Sequence, residues 1–229
     1  MQRELRPCAV LLAVVAIVLL AGCGSSGSGS PADTSTATSS STATAAASAG
    51  VKLGPSFGSM TTLPGVLTTP PPWPNNTGKL QQRLRAIGLD PLTAEGQVLH
   101  IHQHLDLFAA GRHVTVPANI GIDASGRYLA ALHTHDSTGI MHVESPTEVS
   151  YTLGQFFGVW GVRLDARCIG GLCASGAKRL QTWVNGKPVA GDPTRIILDQ
   201  HQEIVLAYGT TAQVPKPLPK SYDFAAVGL

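Results

Sequence analysis

Charge is scarce in this chain: 16 Lys and Arg face 14 Asp and Glu, and charged residues make up only 13% of the sequence. No basic stripe is present, and no basic and aromatic residues interleave, so nucleic acid is not an expected partner. No apolar stretch beyond Leu20 approaches the roughly 20 residues a membrane-spanning helix needs. There is no glycine-rich nucleotide loop and no recognisable nucleophile motif. Methionine is rare, with 3 in the chain. The one beside a histidine, Met141 next to His142, is turned to the opposite face by strand alternation. That argues against a copper(I) carrier. Cysteine is also rare, with 4 in all, of which only Cys168 and Cys173 lie in the part expected to fold. Without a free thiolate, a blue-copper centre is disfavoured.

What is present begins at the N-terminus. Arg3 and Arg6 precede an apolar run, Ala9 to Leu20, that has the length of a signal-peptide core and is too short to span a bilayer. The run ends in Leu20-Ala21-Gly22-Cys23. This resembles the bacterial lipobox. The resemblance implies that residues 1–22 are a lipoprotein signal peptide and that Cys23 is acylated. The mature protein would then sit at the cell membrane, on its extracytoplasmic face. An ordinary secretory signal with a chance cysteine is the alternative. In an oxidising compartment Cys168 and Cys173 are expected to form a disulfide. Gly170 and Gly171 would let the loop between them fold back. A pair of metal thiolates is the other reading.

Residues 24–50 are almost wholly Ser, Thr, Ala and Gly. Such a segment cannot bury enough apolar surface to offset its ordering entropy. With the proline-rich stretch ending in Pro70-Pro71-Pro72-Trp73-Pro74 it reads as a tether, 23–76, in which Trp73 is docked or free. A globular domain is expected over 77–209, followed by an extended tail, 210–229, with Pro215, Pro217 and Pro219. The patterning predicts an α+β fold: a β-rich single domain of small antiparallel or mixed sheets and hairpins, with two short helices. Leu80, Leu84 and Ile87 mark the first helix. Thr152 caps the second, which carries Leu153, Phe156, Phe157 and Trp160 and stops at Gly161. Strands are expected over 98–108, 114–116, 120–122, 128–132, 140–144, 180–184, 196–198 and 204–208, with a hairpin turn at Asn185-Gly186. Leu105, Phe108, Gly111 and Val114 share their spacing with Leu180, Trp183, Gly186 and Val189, which suggests two similar hairpins.

Histidine placement is the informative feature. Six of the 8 histidines fall in two clusters. On a strand, His100, His102, His104 and Asp106 share one face, and Leu99, Ile101, Leu105 and Leu107 the other. His133 and His135 are again two apart, as are His142 and Glu144 beyond a turn at Ser137-Thr138-Gly139. A hairpin would bring His133 or His135 beside His142. Imidazole nitrogen suits zinc and copper(II), and three histidines with an open position form a known zinc arrangement. The expected ligands are His100, His102, His104, His133, His135 and His142. Asp106, Asp136 and Glu144 would orient the rings, join them as ligands, or act as a base. His113 and His201 read as structural. Structural hydrogen bonding and pH sensing remain open alternatives for the clusters as well.

The segments HIHQHLDLF (100–108), VPANIGI (116–122), LHTHDSTGIMHVESP (132–146) and TLGQFFGVWGVRL (152–164), with the later WVNGKPV and EIVLAYG, resemble a group of exported bacterial domains. The resemblance implies one true domain and carries no activity with it. Three functions follow from the residues. The first is a lipid-anchored protein binding divalent zinc or copper, held at the membrane through Cys23. The second is a metal-dependent envelope enzyme with Glu144 or Asp136 as base. The third is a metal-free interaction module using Phe156, Phe157 and Trp160 as surface anchors.

Overall fold

A computed structural model of the chain describes residues 50–229. The expected signal peptide, the lipidation expected at Cys23 and the first part of the expected tether lie outside the described residues. Among the described residues two α-helices and nine strands form in the order α1 (Leu80–Ala86), β1 (Leu99–Ala109), β2 (Arg112–Val114), β3 (Leu132–His133), β4 (Ile140–Ser145), α2 (Leu153–Trp160), β5 (Cys168–Ile169), β6 (Leu172–Cys173), β7 (Arg179–Val184), β8 (Lys187–Val189) and β9 (Gln202–Gly209). The fold is therefore β-rich, with few and short helices.

Seven strands make one sheet in the order β3-β4-β1-β9-β7-β8, with β2 also paired to β1. All of its pairings are antiparallel except β1–β9, which run parallel. β4 covers the first half of one edge of β1, from Leu99 to His104, and β2 takes the far end, from Leu107 to Ala109. β5 and β6 form a separate hairpin closed by the Cys168–Cys173 disulfide. The β1–β2 and β7–β8 hairpins share the same two-residue turn, with positive φ at Ala110 and Gly111 and at Asn185 and Gly186. That is the geometry a type I′ turn requires. The spacing shared in sequence thus reflects two alike hairpins, both flanking β9.

One face of the sheet is the core. Leu105 and Leu107 from β1, Met141 and Val143 from β4, Leu132 from β3, and Ile204 and Leu206 from β9 are all buried there. Leu153, Phe156, Phe157, Val159 and Trp160 of α2 belong to the same cluster and are fully buried. Each such side chain contributes on the order of 1.5–3 kcal/mol relative to exposure. Their burial removes the basis for an interaction surface built on those rings. Thr152 and Gln155 close a capping box at the start of α2, and Gly161 ends it in the left-handed region at φ 74°. Arg83 of α1 is fully buried and donates to the Val159 carbonyl at the C-terminal end of α2 and to the Pro64 carbonyl. This charge meets the negative end of the helix dipole. Burial lowers its pKa to about 10.

The ordered body exceeds the expected 77–209 at both ends. Residues 51–76 were expected as extended tether, yet they pack on the domain. Leu53 bridges to Ile196 and Leu67 to Val162, while Met60 and Trp73 are buried. The Trp73 ring meets Trp160 edge-on at 5.9 Å, and Pro74 accepts a hydrogen bond from the Trp160 indole. Sparse apolar residues in a Ser/Pro-rich stretch are enough, because Met60, Leu63 and Trp73 join the same buried cluster as α2. The C-terminal tail likewise returns: Phe224 is buried, and Tyr222 stacks on His104 at 4.1 Å. The triplets Ile120–Ile122 and Ile196–Leu198 make isolated bridges rather than strands. No helix among the described residues is long and apolar enough to cross a membrane.

Candidate metal centre

The sheet face opposite the core carries the histidines. Alternation along β1 places His100, His102, His104 and Asp106 there, and the antiparallel register sets His102 against His142 and His100 against Glu144. On the other side of β4, His133 of β3 also lies against His142. Three adjacent strands therefore line up His133, His142 and His102, with His100, His135 and Glu144 beside them. Ring centroids are 4.6 Å apart for His102–His142, 5.3 Å for His133–His142, 4.5 Å for His135–His142 and 4.8 Å for His100–His102. The two histidine clusters of the sequence are one cluster in space.

The donor atoms converge. Those of His133, His135, His142 and Glu144 all lie within 4.8 Å of one another, and so do those of His100, His102 and His142. His133 Nε2 is 3.2 Å from His135 Nε2. Glu144 Oε1 is 3.2 Å from His100 Nε2, 3.6 Å from His142 Nδ1 and 3.7 Å from His133 Nε2. The His142 and His133 approaches are too long for hydrogen bonds, and the His100 approach is not directional enough to be one. Both Glu144 oxygens, His142 Nδ1 and His102 Nε2 are buried with no hydrogen-bond partner among the described residues. These buried histidine and glutamate groups could hold a metal ion.

Protonation favours the same chemistry. The Nδ1 of His133 is 3.0 Å from the Ala130 carbonyl. A carbonyl only accepts, so Nδ1 carries the hydrogen and Nε2 faces the cluster as a lone pair. Burial, with the His135 and His142 rings against it, lowers the His133 pKa to about 4. Burial and the neighbouring His142 and His100 likewise lower His102 to about 4. Both are neutral at pH 7, the form in which imidazole ligates a metal. Glu144 is pushed upward by burial, but His142, His133 and His100 outweigh this and hold it below its ordinary value. It is ionised. The floor of the site is closed, with His133 at 0% and His102 at 6% exposure. His100 and His135, at 46% and 44% side-chain exposure, form its rim.

His104 departs from the expected ligand set. Its Nδ1 is 2.8 Å from Glu203 Oε2 and its Nε2 is 2.9 Å from the Thr138 carbonyl. Both nitrogens face acceptors, so the ring binds two protons and offers no lone pair. Burial opposes the charge, but Glu203 and Thr138 together raise the pKa. His104, Asp106 and Glu203 form a group of their own. In it, Asp106 Oδ1 is 3.2 Å from His113 Nε2. Asp136 points into its own turn, where the backbone N–H of Thr138 donates to it. It shapes the β3–β4 connection and is not placed as a base. His201 stacks on Phe224 and contacts Gln200. Met141 lies in the core, as alternation requires. The disulfide removes Cys168 and Cys173 from any ligand set.

Sequence reasoning missed Glu203. Its only local signal is an acidic residue at the start of an otherwise apolar strand. Glu95, 3.5 Å from His135 at the rim, gives no signal at all. A groove of about 500 Å³ lies at the start of α2, where Phe57, Leu63, Ile87 and Gln155 line it without a titratable side chain.

The fold and site define a β-rich single-domain protein with a buried histidine–glutamate cluster able to hold a metal ion. Comparison with protein-family models, curated proteins and solved structures gave no match.

Proposed function

We propose that the protein is an extracytoplasmic, lipid-anchored binder of a divalent metal, zinc or copper(II). The observation that carries the metal reading is the set of four buried polar atoms on His102, His142 and Glu144 that lack hydrogen-bond partners. A solvated histidine face would leave such atoms wet, and here they converge with the other histidine donors to within 4.8 Å. The donors are imidazole nitrogen and carboxylate oxygen, without thiolate or thioether. That set suits zinc and copper(II) over copper(I), and copper(II) binds the tighter of the two to a given site. The lipid on Cys23 and the membrane location rest on the lipobox, and the disulfide suits an oxidising compartment. Binding is favoured over catalysis because neither expected base is placed for that role: Asp136 is held in its turn, and Glu144 stands among the candidate ligands.

The full-length chain, purified untagged and without chelator, is expected to hold zinc or copper in a fixed ratio by elemental analysis. A His102→Ala/His135→Ala variant that remains folded by circular dichroism should hold less. A wild-type protein that takes up neither ion on challenge refutes the reading.

A further inference from the structure

The cluster contains more donors than one ion uses. Structural zinc is almost always four-coordinate, and catalytic zinc takes three protein ligands. Here five histidines and one carboxylate converge, and they do so in two groups. β4 is the middle strand of three. On its β3 side stand His133 and His135, and on its β1 side His102 and His100. Each flanking pair consists of one buried and one half-exposed histidine, two residues apart in the chain. His142 on β4 belongs to both groups. Glu144, two residues on, is grouped with His133 and His135, yet its Oε1 comes within 3.2 Å of His100. Both of its oxygens are buried and unpartnered. A carboxylate between two cations can give one oxygen to each.

We infer that this centre binds two divalent ions side by side. His133 and His135 hold one, His100 and His102 hold the other, and Glu144 of β4 bridges them, with His142 completing one of the two sets because a neutral imidazole offers a single lone pair. The inference rests on the metal reading above and adds the count and the division of ligands. The two histidine pairs and the middle strand give each ion one floor ligand and one rim ligand, so both are reachable from solvent.

The test uses the full-length chain in detergent, stripped with chelator and titrated with copper(II). Two equivalents should survive desalting. The second should weaken or broaden the electron paramagnetic resonance signal of the first, because bridged copper(II) spins couple. A His100→Ala/His102→Ala variant should retain one uncoupled ion. One equivalent in the wild type, or two with uncoupled spectra, overturns the two-ion centre while leaving metal binding intact. Two ions retained by the variant overturn it as well. No bound copper or zinc overturns both readings. If the variant does not fold, the wild-type count and spectrum decide alone.

Discussion

Stripped of metal, the floor of the centre should make the fold acid-sensitive over a defined window. His102 and His133 are each lowered to about 4 by burial, whereas an unfolded histidine titrates near 6.5. Above about pH 6.5 both states are neutral and nothing is lost. As pH falls toward 4, the unfolded chain takes up protons that the folded chain refuses, and stability declines. At pH 5 this amounts to about 2 kcal/mol for each histidine treated alone. Both lie against His142, so their titrations are linked and the joint loss should be about 2–4 kcal/mol. Glu144, held below its ordinary value, contributes stability that is lost only at lower pH. His104 is raised, so its contribution is present at low pH and is lost as pH rises through its folded value. Glu203 is raised by burial and so favours the fold as pH falls. A variant comparison cancels His104 and Glu203, whose titration depends on neither replaced histidine. Urea denaturation of chelator-treated wild type and His102→Gln/His133→Gln at pH 7.5 and pH 5 is the assay. The wild type should lose about 2–4 kcal/mol more than the variant across that interval. Equal losses would show that neither histidine is held neutral by the fold.

Three further outcomes can be checked. Zinc or copper at about 100 times its dissociation constant should add about 2.7 kcal/mol to stability and raise the melting temperature by roughly 5–11 °C, reversed by chelator; an unchanged melting curve would contradict a folded-state site. Arg83→Met leaves the Val159 and Pro64 carbonyls without their buried donor and should cost about 3 kcal/mol or more in urea denaturation, with metal content unchanged. Reducing the Cys168–Cys173 disulfide should cost only about 2 kcal/mol, because so short a loop yields little closure entropy; metal lost on reduction would return the cysteines to the ligand set.

Much of the site was legible because it depends on local periodicity. Alternation along 98–108 put His100 and His102 on one face, and the turn at Ser137-Thr138-Gly139 folded His142 back toward His133. The Thr152 cap and the Asn185-Gly186 turn were equally local and stand as read. What sequence could not supply was the pairing of distant strands. β1 and β9 are about a hundred residues apart, and their parallel register alone places Glu203 beside His104. Without that partner His104 reads as one more ligand. The sequence left Trp73 open as docked or free and gave no place to Tyr222 for a related reason: a single aromatic residue in a proline-rich segment carries no period, and its slot is made by elements elsewhere in the chain.

β1 is thereby divided in function along one face. At His104 a buried imidazole has found two protein acceptors and is satisfied as a cation. Two residues earlier, His102 Nε2 has found none, and the same holds for His142 Nδ1 and both oxygens of Glu144. Leaving a buried polar group unpaired costs about 1–3 kcal/mol. Four such atoms would therefore cost about 4–12 kcal/mol, against a total stability of only about 5–15 kcal/mol for a typical domain. A ligand that pairs all four atoms at once would lift that load. Protons are poor candidates, since burial holds His102 and His133 neutral down to about pH 4. A divalent cation accepts electron pairs from the imidazole nitrogens and the carboxylate at once. Ligand binding to the folded state alone then restores the stability that the empty site forgoes.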